Sequence, residues 1–492
     1  MSNPVVVWFR DDLRLTDNAA LTWAAQRGPV IGLCVDETVG RPIGAAARWW
    51  RTRSEASLSG KLPLLRVTGD PRKVVPRVAR VLGAQVTWNR RYHLTGVDAA
   101  VKDATSAVSH PGFLLAEPWD VETASGTPFK VFTPFFKAMH AQLEAAPPRP
   151  LPVPEFTPAD VDVQRVTTEL ATLTGVPGWA QLDAPEPFWA ADTLAKHNSP
   201  GEDAGLQRFH DFLDHLIDGG AYDNDDLSGA STSGLSAHLR FGELSPGYVW
   251  AETSALAEHH PSAAAHAWAF LRQLVWRDFA WHRYYHVPDL ATRNVRSSFD
   301  HFDWAWTDKA VPGCDAHAFA HEGLDEHAEH LGQLSQWQRG ETGVPLVDAG
   351  MRELWHTGTM HNRVRMVTGS WLTKNLGIHW RHGEEWFWDT LVDADPASNP
   401  FNWQWVAGSG DDAAPYFRIF NPVLQQERFD PDGRYISRWV PEALTPMYPE
   451  PMVDIKASRK RALAAYEATR SQARTSRPAE FASCTLALSG ES

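Results

Sequence analysis

A chain of 492 residues, 43% of them hydrophobic, has material for two or three domains and a large core. Its formal net charge of −14 opposes indiscriminate binding to nucleic acid, so a DNA-binding role needs a local basic patch on an acidic body. Cys34, Cys314 and Cys484 are too far apart for a C-x-x-C pair, a zinc set or an iron–sulfur set, so no metal site is expected and a reducing cytoplasm fits.

The opening MSNPVVVWF lacks the basic and long apolar regions of a signal peptide, and no apolar run reaches the roughly 18 residues of a membrane span. Val5–Phe9, Val30–Val35, Leu64–Val67, Val86–Asn89 and Phe113–Leu115 read as strands. Between them, Asp17–Gln26 (capped by Asp17), Ala45–Leu58, Pro71–Leu82 and Val97–Val108 have helical spacing. This alternation predicts a Rossmann-like α/β domain with a parallel sheet over residues 1–130, without the G-x-G-x-x-G fingerprint after its first strand. Pro147, Pro148, Pro150, Pro152, Pro154 and Pro158 predict an extended tether within a linker spanning 131–200.

From Gly205 onward the spacing is helical. Leu235–Phe241, Pro246–Glu258, Ala263–Tyr285, Val347–Thr357, His361–Leu376 and Glu384–Leu391 read as helices of a larger all-α domain over 201–466, followed by a flexible tail over 467–492. The 23 Trp residues far exceed ordinary usage; most serve as packing, but Trp is also readily oxidised.

The stretch Leu391–Pro422, LVDADPASNPFNWQWVAGSGDDAAPYFRIFNP, has almost no helix or strand period, and Pro396 and Pro400 disfavour a long regular helix. It concentrates Asp393, Asp395, Asn399, Trp403, Gln404 and Trp405, a density that marks a functional loop, with a buried, N-capped structural loop as the bland reading. Upstream, Thr232-Ser233-Gly234-Leu235-Ser236 places hydroxyls and free backbone N–H groups before a helix, which suits a pyrophosphate and equally an ordinary N-cap.

D-x-D-x-A-x-N followed by WQW and DAAPYFRIFNP resembles the flavin-cradling segment of the DNA photolyase and cryptochrome family, and WFRDDLRLTDNAAL (Trp8–Leu21) resembles that family's opening motif. The likeness is greatest to the class I cyclobutane pyrimidine dimer photolyases. It implies light-driven repair of such dimers in UV-damaged DNA by a monomer, through electron transfer from excited, reduced FAD. The alternative is a cryptochrome-like blue-light receptor without repair, and a third reading is a light-independent flavin oxidoreductase.

The resemblance assigns FAD contacts to Tyr222, Thr232, Ser233, Gly234, Leu235, Ser236, Phe270, Asn362, Arg365, Asp393, Asp395 and Asn399, with Asn399 beside the flavin N5. It assigns DNA contacts to Gln273, Arg277, Asn362, Arg363, Met366 and Gln425, with Trp276 and Trp405 as the two walls around a flipped-out dimer. Trp403 and Trp380 match the inner two members of an electron-transfer tryptophan chain. The outer position falls on His327, inside an inserted, His-rich segment (312–330), with Trp355 or Trp304 as substitutes or a relay that ends early as the alternative. Gln273 stands where many relatives have Glu. The helix beginning His361-Asn362-Arg363-Val364-Arg365 lacks the second His of (6-4) photolyases, and His361 reads first as a cap histidine. Arg10, Asp12, Arg14 and Asp17 form either a second-cofactor site or, in the larger share, a packing motif. Asp36 and Asp98 sit where deazaflavin-binding relatives place acidic contacts, so the resemblance implies an 8-hydroxy-deazaflavin antenna rather than methenyltetrahydrofolate, with an empty antenna pocket as the alternative.

Overall fold

The computed structural model describes residues 3–174, 193–306, 330–412 and 417–475. The N-terminal half is a five-stranded parallel sheet of order β3-β2-β1-β4-β5, with β1 Val5–Phe9, β2 Val30–Glu37, β3 Leu64–Gly69, β4 Gln85–Asn89 and β5 Val108–His110. The unbroken apolar run of β1 follows from burial on both faces: all five residues are buried, with Val5 in register with Val30 on one side and Gln85 on the other. Helix boundaries follow local chemistry. Asp70 accepts from the N–H of Arg72, Pro71 opens the helix Pro71–Leu82, and left-handed Gly83 (φ 59°) closes it.

Two expectations fail here for visible reasons. Asn18, not Asp17, caps the first helix (Ala19–Ala25), because Asp17 sits at φ +50° and its carboxylate is engaged by Leu151 N–H at 2.9 Å and by the Ser245 hydroxyl. The helix Thr95–Thr105 ends at left-handed Ser106, so Val108–His110 becomes the fifth strand. Phe113 and Leu114 are instead buried in the helical domain's packing, with Phe113 edge-on to Trp281 at 4.9 Å.

The proline-rich tether runs extended, its Thr157 carbonyl accepting from Val30 N–H at 2.8 Å. The surrounding 131–200 region also carries helices Phe132–Ala145 and Val163–Thr174, which its composition concealed. Beyond residue 200 the described residues contain helices and no named strand. The helix expected over His361–Leu376 is α-helical over Asn362–Ser370, then opens into a π-turn over Trp371–Asn375. Trp403 and its neighbours form a helix, Ser398–Ala407, with Pro400 tolerated in the first turn where its missing N–H is not needed. The last helix, Ile455–Thr475, extends into the expected tail; residues 476–492 lie outside the described residues. Among the described residues no helix is long and apolar enough to cross a membrane.

The opening motif joins the two halves. Arg14 donates to Gly242 O at 3.0 Å and Gly112 O at 2.7 Å, and Arg240 pairs with Asp11 at 2.7 Å. Asp11, Arg14 and Asp17 thus bond to the helical domain, while Arg10 and Asp12 bond to Asn89 within the sheet domain.

Candidate functional site

A cavity of ≈ 840 Å³ opens in the helical half, large against the roughly 300–1,000 Å³ usual for ligand sites. Its walls come from the turn 232–236 and from helices Ala264–His286, Asn362–Ser370 and Ser398–Ala407. Although the chain is acidic, Arg208, Arg240, Arg277, Arg363, Arg365, Arg418 and Arg438 all line it, with Arg240 buried against Asp11 and Arg363 paired with Asp225.

At one end lies the hydroxyl-rich turn. Gly234 adopts φ +64°, which favours glycine, and a Cβ there would stand 2.4 Å from Arg208 Nη1. The helix that follows, Ser236–Arg240, begins at Leu235 with no side-chain cap, so Ser233 and Ser236 are not spent as caps. The Thr232 hydroxyl donates within the turn, to Gly229 O at 3.0 Å. Tyr222 and Phe270 line the same end and touch edge-on at 5.7 Å. Arg208 was not anticipated: it stands alone on the helix Glu202–Ile217, far from any motif, and reaches this turn only in the fold.

Asp393 and Asp395 separate in role. Arg365 donates to both Asp393 oxygens at 3.2 and 2.9 Å and to Met360 O at 2.7 Å. Asp395 accepts from Ala397 N–H at 2.8 Å and Ser398 N–H at 2.5 Å, leading the chain into its helix, and burial pushes its pKa up. Asp395 thus bonds the backbone leading into the helix and also lines the cavity. Asn399, on the next turn, is 7% exposed and lines the cavity. Its amide nitrogen donates to Glu384 O at 2.9 Å and Glu384 Oε1 at 2.8 Å, leaving Oδ1 with no donor among the described residues.

Gln273, Trp276, Asn362, Arg363, Met366 and Trp405 all line the cavity, whereas Gln425, on the helix Pro422–Phe429, does not. Trp276 stacks on Phe132 at 3.5 Å and 7°. Asp412, at φ +53°, ties the two tryptophan walls together: its carbonyl accepts from Trp405 Nε1 at 3.0 Å and its carboxylate from Phe132 N–H at 3.3 Å. Arg277 departs from its expected role as a phosphate clamp. Its guanidinium is turned inward, to Phe113 O at 2.9 Å and Asp278 at 3.4 Å, and burial lowers its pKa. Arg363 pairs with Asp225 at the rim. His361 caps its helix: Nδ1 accepts from Arg363 N–H at 3.2 Å, and burial holds the ring neutral with a pKa of about 4.

Trp403 lines the cavity and is wedged by glycines; a Cβ at Gly383 would fall 2.0 Å from its ring. Trp380 lies away from the cavity, fully buried, with Nε1 donating to Asn294 Oδ1 at 2.8 Å. His379 touches Trp380 at 5.5 Å, Trp304 at 5.0 Å and Trp306 at 5.6 Å. Trp355 stacks on Trp386 at 5.6 Å, and His327 lies outside the described residues. In the sheet domain both antenna carboxylates have arginine partners: Asp98 binds Arg10 at 3.1 Å and Arg91 at 2.9 Å, and Asp36 binds Arg48 at 3.2 Å.

The donor set suits FAD, with cations and hydroxyls at one end and an amide oxygen farther along the wall. Comparison with known proteins agrees. Residues 5–155 match the DNA photolyase family model, and residues 270–446 match the model of the FAD binding domain of DNA photolyase. The chain is 40% identical to a deoxyribodipyrimidine photo-lyase of Agrobacterium fabrum, over 95% of this chain and 98% of that protein. It is 32% identical to cryptochrome-2 of Arabidopsis thaliana, over 90% of this chain and 71% of that protein. Among solved structures, a bacterial class III photolyase from Agrobacterium tumefaciens superposes with a TM-score of 0.80 at 39% identity, covering 96% of this chain and 98% of that one. With an α/β sheet domain, a helical FAD-binding domain and relatives matched along nearly its whole length, the chain belongs to the DNA photolyase and cryptochrome family.

Proposed function

We propose that this protein is a deoxyribodipyrimidine photo-lyase that repairs cyclobutane pyrimidine dimers in UV-damaged DNA. The observation that carries the reading is the convergence on one cavity of Asn399, the Arg365–Asp393 pair, the 232–236 turn and the bridged walls Trp276 and Trp405. FAD, when bound and reduced, would supply the light-driven one-electron chemistry, and the chain supplies its position and surroundings. The turn and Arg208 hold the phosphates; Asn399 orients the isoalloxazine. The aromatic walls exclude water around a dimer that stacks poorly and is therefore cheap to extrude. In kinship we place the chain nearer the class III photolyase than the class I enzymes its motifs resemble, on 39% identity along 96% of its length. An antenna chromophore at Asp36 and Asp98, with a deazaflavin favoured, has to displace Arg48, Arg10 and Arg91.

The test is direct. The purified protein should show a flavin spectrum and, once reduced, restore unmodified thymines from dimer-containing DNA in light and not in darkness. Flavin binding with no light-dependent repair would favour the cryptochrome reading, which the likeness to cryptochrome-2 supports. A colourless protein that refuses FAD would sink both.

A further inference from the structure

Arg41 belongs to the sheet domain, in the connection between β2 and the helix Ala45–Ser59, yet its side chain ends in the helical domain. Its two terminal nitrogens grip Glu384 through both carboxylate oxygens, at 2.6 and 2.8 Å, and its guanidinium lies 4.2 Å over the Trp388 ring. The approach is built into the backbone. Trp388 Nε1 donates to Pro42 O at 2.8 Å, Asp389 accepts from Ala45 N–H at 2.9 Å, and a Cβ at Gly44 would stand 1.9 Å from Trp388 O. Glu384 is 1% exposed, and the same Oε1 that takes Arg41 Nη1 also accepts from Asn399 Nδ2 at 2.8 Å.

We propose that Arg41 is a positioning residue for the flavin: by holding Glu384 as a pure acceptor, it fixes the Asn399 amide with its nitrogen outward and its oxygen toward N5. This deepens the reading above and rests on it. A fork-gripped carboxylate has only lone pairs to offer, so the amide group facing it must be the donor. The remaining oxygen accepts from a flavin that carries a proton on N5 and repels one that presents a lone pair there. The sheet domain thus reinforces, through Arg41, the hold that the Glu384 carbonyl already has on the Asn399 nitrogen at 2.9 Å, and with it the bias toward reduced flavin. Without Arg41 the Glu384 side chain loses the fork that fixes its rotamer; the Asn399 nitrogen keeps only the Glu384 carbonyl, at 2.9 Å, as a fixed acceptor, and the amide is free to tilt away from N5.

The experiment uses the full-length, FAD-loaded protein. Each sample is photoreduced without oxygen, air is admitted, and the return of the oxidised-flavin absorption is timed. Arg41→Gln should reoxidise about tenfold faster than wild type, the worth of one hydrogen bond to a charged group. Arg41→Lys keeps the charge but loses the fork and should fall between them. Glu384→Gln, whose NH2 faces Asn399 when its oxygen serves Arg41, should match Arg41→Gln or exceed it. FAD content and melting temperature, measured alongside, separate this from loose packing. Reoxidation of Arg41→Gln at the wild-type rate with full FAD content overturns the inference; if that variant does not fold, a wild-type rate in Glu384→Gln does so. A wild-type chain that takes up no FAD removes the proposed function itself.

Discussion

Gly383 is glycine because Trp403 occupies the space a side chain would need, 2.0 Å from a built Cβ. Gly383→Ala should therefore cost about 1–3 kcal/mol of stability, the usual penalty of overpacking, and slow photoreduction by moving the ring. Thermal melting and flavin bleaching under light measure both; an unchanged melting curve would mean the helix Trp380–Thr390 shifts freely. Two residues on, Glu385 is pushed up to about 8 from 4.5, chiefly by burial and then by the Glu384 charge. Between those values the folded chain keeps a proton that the unfolded chain has released, so stability falls as pH rises, by at most about 1.4 kcal/mol per unit from this group. Glu385→Gln should flatten that fall between pH 4.5 and 8; parallel pH profiles for variant and wild type would show Glu385 ionising without penalty. Asp393, Asp395 and Asn399 were legible in the sequence because one short stretch carries them. Arg208, Arg41 and Glu384 were not: each acquires its meaning from a partner far along the chain, and periodicity records only that it sits on a helix or in a loop.

Elements with strong local signals were read nearly to the residue. Pro71–Leu82 is bounded by Asp70, Pro71 and Gly83, and β1 by its unbroken apolar run. Failures came where tertiary contacts overrode local signals, as at Asp17, drawn away from capping by Leu151 and Ser245, or where a π-turn interrupted a helical pattern at Trp371–Asn375. The same element scale decides the electron route. We propose Trp403 on one helix and Trp380 on another as the inner relay; His379 touches both Trp380 and Trp304, the latter on a separate segment. Trp380→Phe should slow light-driven flavin reduction severalfold while leaving repair by chemically reduced protein intact. Trp304→Phe should slow it less if Trp306, also against His379, carries part of the flow. Untouched photoreduction in both variants would place the relay elsewhere, with the stacked pair Trp355–Trp386 as the next candidate.

At the scale of the whole molecule, charge decides how an acidic chain approaches an acidic polymer. The two-domain architecture was legible from the change of hydrophobic period, but the arrangement of charge at the cavity mouth was not, since the arginines lining it are scattered from Arg208 to Arg438. Arg363, the rim cation best placed for a flanking phosphate, is engaged by Asp225, which also lies 3.9 Å from Arg428. A carboxylate in that position competes with DNA: a phosphate that binds Arg363 has to displace it. The competition is modest, because both partners are about a third exposed, at 33% and 38%, and pairs of that kind are worth up to about 1 kcal/mol. Asp225→Asn should therefore tighten binding to undamaged duplex by up to about fivefold and steepen its loss with salt, because one more cation is free to release counterions from the backbone. Dimer-containing DNA should gain by a similar factor, leaving the preference for damage nearly unchanged, since phosphate contacts position the duplex while the aromatic walls select the lesion. Fluorescence anisotropy across a salt series measures all three quantities. Equal affinity and equal salt slope in variant and wild type would show that Arg363 faces no phosphate, and the DNA path would then have to bypass it.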